Sequence, residues 1–398
     1  MTSRVVGSPR VTLAGVWLVT VAAAAYELSP ASVQPLLIDE FGIGPATASL
    51  IVGVMFGTAV VTSIPIGIGL GRVNTRYAIV GAAGLLVISG IWGWQATRAG
   101  AFRSLIASRI AGAFAFTILW NGGADLIGRS FGSATRATAI GIFSASGTAG
   151  FAIGQVAGPQ IAAAFGTGAV FAAFGPVAVV GVIVFWPASR GVTLDRGGTD
   201  QPGAADFKRV LTSRRVWHVS LIAFAAYALY LYINSWMPTY LSQELGISLA
   251  SSGAIVGLFA GVGILSRIGG GAISDRVFDT RRRPVVVVSL VLTTPLIAVL
   301  WLIKVVPVVI ATLLLSGFTI QLTIGLALAY IRELVDPSVA ATAVSVLTAV
   351  SLSGAFLAPI IAGILIERTG GYEAAFTAAL GVAIVGSGLA ILAPEPER

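Results

Sequence analysis

Val11 to Ile38 reads VTLAGVWLVTVAAAAYELSPASVQPLLI, an apolar run interrupted by one charged side chain, Glu27. An α-helix needs about 20 apolar residues to cross the hydrocarbon of a bilayer, and this run exceeds that length. Arg4 and Arg10 ahead of it give the look of a secretory leader. A leader's apolar core is only about 7–15 residues long and ends in a small-residue cleavage site, which is missing here. The run is therefore expected to be retained as the first of several spans.

The rest of the chain agrees. Its 398 residues are 56% hydrophobic and 10% charged, with a mean hydropathy of +0.94, whereas soluble domains carry about 25% charged residues. Hydrocarbon offers backbone groups no hydrogen-bond partner, so spanning segments must be helices or a closed barrel. The apolar runs lack the ten-residue alternation of barrel strands. Twelve helices are predicted, near 11–38, 45–70, 76–97, 103–128, 137–165, 169–188, 214–241, 247–270, 284–304, 307–332, 339–366 and 372–393. The polar, glycine-containing stretch 189–213 separates them into two sixes. The organisation expected is an N-terminal six-helix bundle (1–188), a cytoplasmic linker (189–213) and a C-terminal six-helix bundle (214–398).

With both termini placed in the cytoplasm, 19 lysines and arginines fall on the inner side. Only Arg98, Arg103, Lys304 and Arg368 fall outside, and Arg109 lies within a helix. Inner-side excess is the rule for membrane proteins. It accounts for the net charge of +8 without nucleic acid, through apposition to anionic lipid. The expected location is the inner or plasma membrane. Cysteine is absent and His218 is the single histidine, so no disulfide, metal cluster or cofactor is expected.

Sliding the chain by 204 positions sets Glu40-Phe41-Gly42-Ile43 against Glu244-Leu245-Gly246-Ile247, Gly53 and Gly57 against Gly257 and Gly261, Gly67 against Gly271, and Arg72 against Arg276. Ala137-Thr138-Ala139 likewise meets Ala341-Thr342-Ala343, and at an offset of 200 Gly158-Pro159 meets Ala358-Pro359. Duplicated six-helix halves with a substrate site near mid-membrane are one established plan for secondary transporters. Gly53/Gly57, Gly150/Gly154/Gly158 and Gly253/Gly257/Gly261 form ridges of small residues that let helices approach closely.

Ionisable groups inside a span are functional candidates by default, because burying them costs a few kcal/mol or more. Glu27 is the clearest, sharing a face with Thr20 and Gln34 and followed by Pro30, which should kink the helix. A buried carboxyl tends to hold a proton, as a proton-coupled carrier requires. Arg109 shares a face with Phe116 and Trp120, and its planar fork suits a carboxylate. Tyr227, Tyr230 and Asn234 make an aromatic, hydrogen-bonding face on the seventh helix. Ser316, Thr319 and Thr323 share a face on the tenth, with Gln321 pointing elsewhere. Both faces are candidate cavity linings. Trp120, Tyr227, Tyr230, Asn234 and Thr319 thus join Glu27 and Arg109 as binding or coupling candidates.

The stretch Gly67-Ile-Gly-Leu-Gly71-Arg72-Val-Asn-Thr-Arg76, with Gly271-Ala-Ile-Ser-Asp275-Arg276 and Arg281-Arg282-Arg283 in the second half, resembles the loop motif of the major facilitator superfamily. That motif runs G-x-x-x-D-R-x-G-R-R, and its acidic position is Gly71 in the first copy but Asp275 in the second. Gly154-Gln-Val-Ala-Gly158-Pro159 is similar to a fifth-helix element of the family's antiporters. Trp236-Met-Pro238-Thr-Tyr240-Leu241 is similar to the seventh-helix ending of its organic-anion transporters. The resemblance implies an all-α fold of twelve helices in two pseudo-symmetric bundles. It also places the first and fourth helices side by side, so that Glu27 and Arg109 could pair. It implies gating ion pairs of Asp125 with Arg72 and Arg76, and of Glu333 and Asp275 with Arg276 and its neighbours.

The function expected is secondary active transport by alternating access, coupling protons to uptake of a small organic anion, with the chain acting as a monomer. Protonation of Glu27 would free Arg109 to accept the anion. Proton-driven efflux of an amphipathic, drug-like compound is the alternative, favoured by the Gly154–Pro159 element. A membrane enzyme or receptor is disfavoured: the chain has no G-x-x-x-x-G-K-[ST], H-E-x-x-H or G-x-S-x-G element, and a receptor fits the internal repeat poorly.

Overall fold

The computed structural model of the chain describes residues 7–190 and 204–395. Arg4, Arg398 and the linker residues 191–203 lie outside them. Among the described residues, twelve helices are long and apolar enough to cross a membrane. They are α1 (Pro9–Ser32), α2 (Leu50–Leu70), α3 (Thr75–Arg98), α4 (Phe102–Ser130), α5 (Thr138–Phe165) and α6 (Ala169–Ser189), then α7 (Arg214–Gln243), α8 (Leu249–Val277), α9 (Arg282–Leu302), α10 (Val306–Leu334), α11 (Ala340–Thr369) and α12 (Glu373–Ile391). The all-α, twelve-span reading of the sequence holds.

Polar side chains set where several helices begin. Ser8, Asn74, Ser213 and Ser248 accept hydrogen bonds from backbone N–H groups one turn in, capping α1, α3, α7 and α8. Gly42 and Gly246, partners at the 204-residue offset, both adopt left-handed backbone (φ 58° and 65°), a conformation that glycine reaches without strain.

The first span is shorter than the apolar run. α1 stops at Ser32, Val33 leaves the helical region (φ −121°, ψ 19°), and a separate helix, Gln34–Phe41, follows. Pro30 and Pro35 each remove a backbone donor, and the Pro35 nitrogen is the one that would bond the Ala31 carbonyl to carry α1 across Val33. Within the stretch read as the linker, Ala204–Leu211 forms a short helix. Val210 on that helix joins an apolar cluster with Val216, Val219 and Tyr330. Arg209 lies 3.8 Å from Asp336. Hydrogen bonds from the backbone and hydroxyl of Ser338, then the charge of Arg209, hold the Asp336 carboxyl below the usual range.

The chain forms two compact units, Met1–Gly42 with Val61–Thr199, and Ile43–Val60 with Asp200–Arg398. Within the first, α1 packs on α4, α5 and α6, α3 packs on α4, and α3 packs on α6. Within the second, α7 packs on α10, α11 and α12, α9 on α10, and α9 on α12. The same positions pair in both, as the repeat implies.

Close packing depends on the glycines. A Cβ at Gly150 would stand 2.5 Å from the Val21 carbonyl oxygen, and one at Gly154 would stand 2.7 Å from that of Ala25, so α5 seats α1 by its backbone. Gly354 of α11 admits the Phe224 carbonyl of α7 in the same way, 200 residues on. Gly53 and Gly57 pack on Ile360 and Phe356 of α11, and the Glu367 carboxylate accepts the Ala46 N–H at 2.9 Å.

Candidate functional site

The site begins from the defect in α1. The Tyr26 carbonyl lies four residues before Pro30, whose nitrogen carries no hydrogen for the usual helical bond. Arg109 of α4 takes its place. Its Nη1 donates to the Tyr26 carbonyl at 2.8 Å and its Nη2 to the Glu27 carbonyl at 2.6 Å. A planar fork presents two donors in fixed geometry to two successive acceptors, whereas a lysine ammonium is a rotating point charge.

Aromatic rings complete the seat. The guanidinium carbon lies 4.5 Å from the centre of the Tyr26 ring and 5.7 Å from that of Phe171 on α6, a cation–π arrangement strengthened by exclusion of water. The Tyr26 ring fits only because residue 112 is glycine, where a Cβ would come within 2.5 Å of it. Glu27 and Arg109 are 1% and 0% exposed, and Glu27 Oε2 has no hydrogen-bond partner. The expected pairing of the two side chains is thus replaced: Arg109 reaches over from α4 to the α1 backbone, and the Glu27 carboxyl and the guanidinium are buried near one another without an ion pair between them. Two such groups can change their net charge by one when a proton or an anion arrives.

The other expected binding residues divide. Trp120 stacks on Phe116 (6.0 Å between centres) and tilts against Phe143 of α5 (5.4 Å). Tyr230 is buried and stacks on Phe259 of α8 at 5.6 Å, Asn234 donates from Nδ2 to the Tyr230 carbonyl at 2.9 Å, and Tyr227 is half-buried. Hydroxyls of the Ser316–Thr319–Thr323 face meet α9. The Thr319 hydroxyl meets that of Thr293 at 2.8 Å and Thr323 meets Ser289 at 2.7 Å, forming a polar seam between α9 and α10. Gln321 instead donates to the carbonyls of Phe259 and Ala260, both at 3.3 Å.

The gating pairs are rearranged. Asp125 pairs with Arg129, one turn along its own helix, and accepts from Thr75 at 3.3 Å. It is not joined to the expected Arg72, which is exposed, or Arg76, whose Nη1 reaches the Arg190 carbonyl at 3.5 Å. In the second half Arg282 bridges Asp275 (2.6 Å) and Glu333 (3.0 Å), while Arg276 is exposed. A left-handed turn at Asp279 and Thr280 (φ 49° and 64°) folds the chain back, so that Arg282 faces Asp275 and also donates to Ser274 Oγ at 2.9 Å.

Two stretches of the chain, 16–345 and 278–398, match the family model described as Major Facilitator Superfamily. The chain belongs to the Major Facilitator Superfamily. Membership makes it a transporter rather than an enzyme. Crystal structures of a bacterial homolog of the human lysosomal transporter Spinster share its fold. The inward-facing, unoccupied form gives a TM-score of 0.81 at 18% identity, covering 97% of this chain and 96% of that one. The inward-facing, occupied form gives 0.79 at 18% identity, covering 96% of each. The hexuronate transporter of Bacillus subtilis (strain 168) is 25% identical over 180 residues, which is 42% of this superfamily member and 43% of that relative. The chain thus matches less than half of the length of that relative.

Tyr26, Pro30, Gly112, Phe171 and Arg282 are the site residues that sequence reasoning did not single out for these roles. Pro30 was the available signal, because a proline in a helix names the carbonyl four residues earlier as one in need of a donor.

Proposed function

We propose that this transporter works by alternating access as a monomer in the cell membrane, with both termini in the cytoplasm, coupling proton entry to uptake of a small organic anion. The observation that carries this reading is the buried Glu27 carboxyl, with Oε2 unpartnered, on the residue whose backbone carbonyl the buried Arg109 guanidinium holds. A hexuronate is a sugar acid with one carboxylate, and the similarity to a hexuronate transporter favours that class of substrate. When Glu27 takes a proton, the Arg109 charge loses its compensating carboxylate and attracts the substrate's carboxylate instead. Arg109 shifts one arm of its fork from the α1 backbone to the anion. Loss of the proton on the far side restores the competition and expels the anion, so that one proton and one negative charge cross together.

The test is uptake of D-glucuronate and D-galacturonate into proteoliposomes carrying an inside-alkaline pH gradient. The expected result is accumulation driven by the gradient. Glu27→Gln should remove the acceleration by the gradient while leaving counterflow exchange. Gradient-driven accumulation that survives Glu27→Gln would eliminate this residue as the proton carrier, and selective extrusion of a neutral drug with no sugar-acid uptake would favour efflux.

A further inference from the structure

α7 carries a stripe that begins charged and ends in a cleft. Arg214, Trp217, Leu221, Phe224, Ala228 and Tyr232 follow one another at spacings of three or four, which places them on one helix face. Exposure falls along it: Trp217 and Leu221 are 40% and 39% exposed, Ala228 and Tyr232 only 3% and 4%. The stripe sinks into a cleft between α7, α11 and α12, closed on its other sides by Leu357, Ile361 and Ala379 among others. Leu357 and Ile361 are themselves exposed, so the cleft opens sideways, and none of its lining residues is charged.

The other end is basic. Arg214 is exposed, and so are Lys208 and Leu211, one turn apart on the Ala204–Leu211 helix. Trp217 Nε1 donates to the Leu211 carbonyl at 2.8 Å, which ties that helix to the base of α7. A tryptophan beside basic side chains at the end of an apolar span is the pattern of a membrane–water interface. From Arg214 to Phe224 the helix advances about 15 Å, the depth of one leaflet's hydrocarbon in a core about 30 Å thick. The cleft therefore sits where the end of an acyl chain lies when its headgroup is level with Arg214.

We propose that this face binds one anionic phospholipid, with the phosphate between Arg214 and Lys208, the chain along Trp217 and Leu221, and its end in the cleft. Charge selects the headgroup, and the continuous stripe commits the occupant to a long-chain lipid.

The test is native mass spectrometry of the delipidated full-length protein titrated with dipalmitoyl phosphatidylglycerol, dipalmitoyl phosphatidylcholine and dihexanoyl phosphatidylglycerol. One dipalmitoyl phosphatidylglycerol should be retained at least about tenfold more tightly than either of the others. Lys208→Gln with Arg214→Gln should weaken it roughly thirtyfold, and Ala379→Trp, which fills the cleft, should weaken both long-chain lipids. The wild-type comparison of six-carbon with sixteen-carbon chains tests the cleft without any substitution. Equal retention of the two headgroups, equal retention of the two chain lengths, or an unchanged double variant would each overturn the proposal.

Discussion

Tyr26 and Tyr230 occupy the same place in the two repeats, 204 residues apart, yet their carbonyls are completed in opposite ways. In the first half residue 30 is proline and the donor comes from another helix, the guanidinium of Arg109. In the second half residue 234 is asparagine, which keeps the backbone N–H of the helical bond and adds its side-chain amide as a second donor to the Tyr230 carbonyl. The counterpart of Arg109 is Leu313, also fully buried, and the counterpart of Glu27 is Leu231. One duplicated scaffold thus carries a charged, externally braced helix on one side and a neutral, self-contained helix on the other. The proton and anion chemistry proposed above uses the braced side, where one guanidinium serves both as a buried charge and as a donor to the helix backbone.

The largest effect is expected from writing the second half's residues into the first. Arg109→Leu leaves the buried Tyr26 carbonyl without a donor and should cost roughly 1–3 kcal/mol, with loss of transport in counterflow. Adding Pro30→Asn should return about 1 kcal/mol of thermal stability without restoring transport. If the double variant melts no higher than Arg109→Leu alone, the two tyrosine carbonyls are not equivalent and the comparison breaks.

A smaller effect sharpens the same contrast. Gly112→Ala drives a methyl into the Tyr26 ring and should cost about 1–3 kcal/mol in thermal unfolding. Its counterpart Ser316 already has a Cβ, and Ser316→Ala should change stability by less than about 1 kcal/mol. The smallest effect concerns the ion pairs, where exposed pairs contribute about 0.2–1 kcal/mol. Arg282→Gln should speed amide exchange in the turn that ends with Thr280 N–H on the Ser274 carbonyl, 2.9 Å away. Arg129→Gln, which frees a single carboxylate on its own helix, should alter exchange less.

The twelve spans were legible because hydrocarbon imposes length and polarity on every one of them. The break at Val33 was not, since Pro30 and Pro35 lie inside an apolar run that hydropathy reads as continuous. The nearness of the first and fourth helices followed from the family resemblance, but the expected Glu27–Arg109 ion pair is replaced by bonds from Arg109 to the α1 backbone. What Arg109 holds did not follow from it, because a backbone carbonyl leaves no mark in the residue alphabet except through a proline four positions on. The polar stripe on α10 was visible, but a stripe of hydroxyls looks the same whether it faces a cavity or, like Thr319, another helix. Arg282 was hidden in a triplet of arginines, and only the left-handed turn at Asp279 and Thr280 distinguishes it.

The bare carbonyl of Tyr26 also has a mechanical consequence. A helix is most compliant where a rung of its ladder is missing, and in α1 that rung is supplied by a side chain belonging to α4. The stiffness of α1 is therefore set by occupancy: whatever draws the guanidinium away also loosens the hinge, and whatever lets it return splints the helix again.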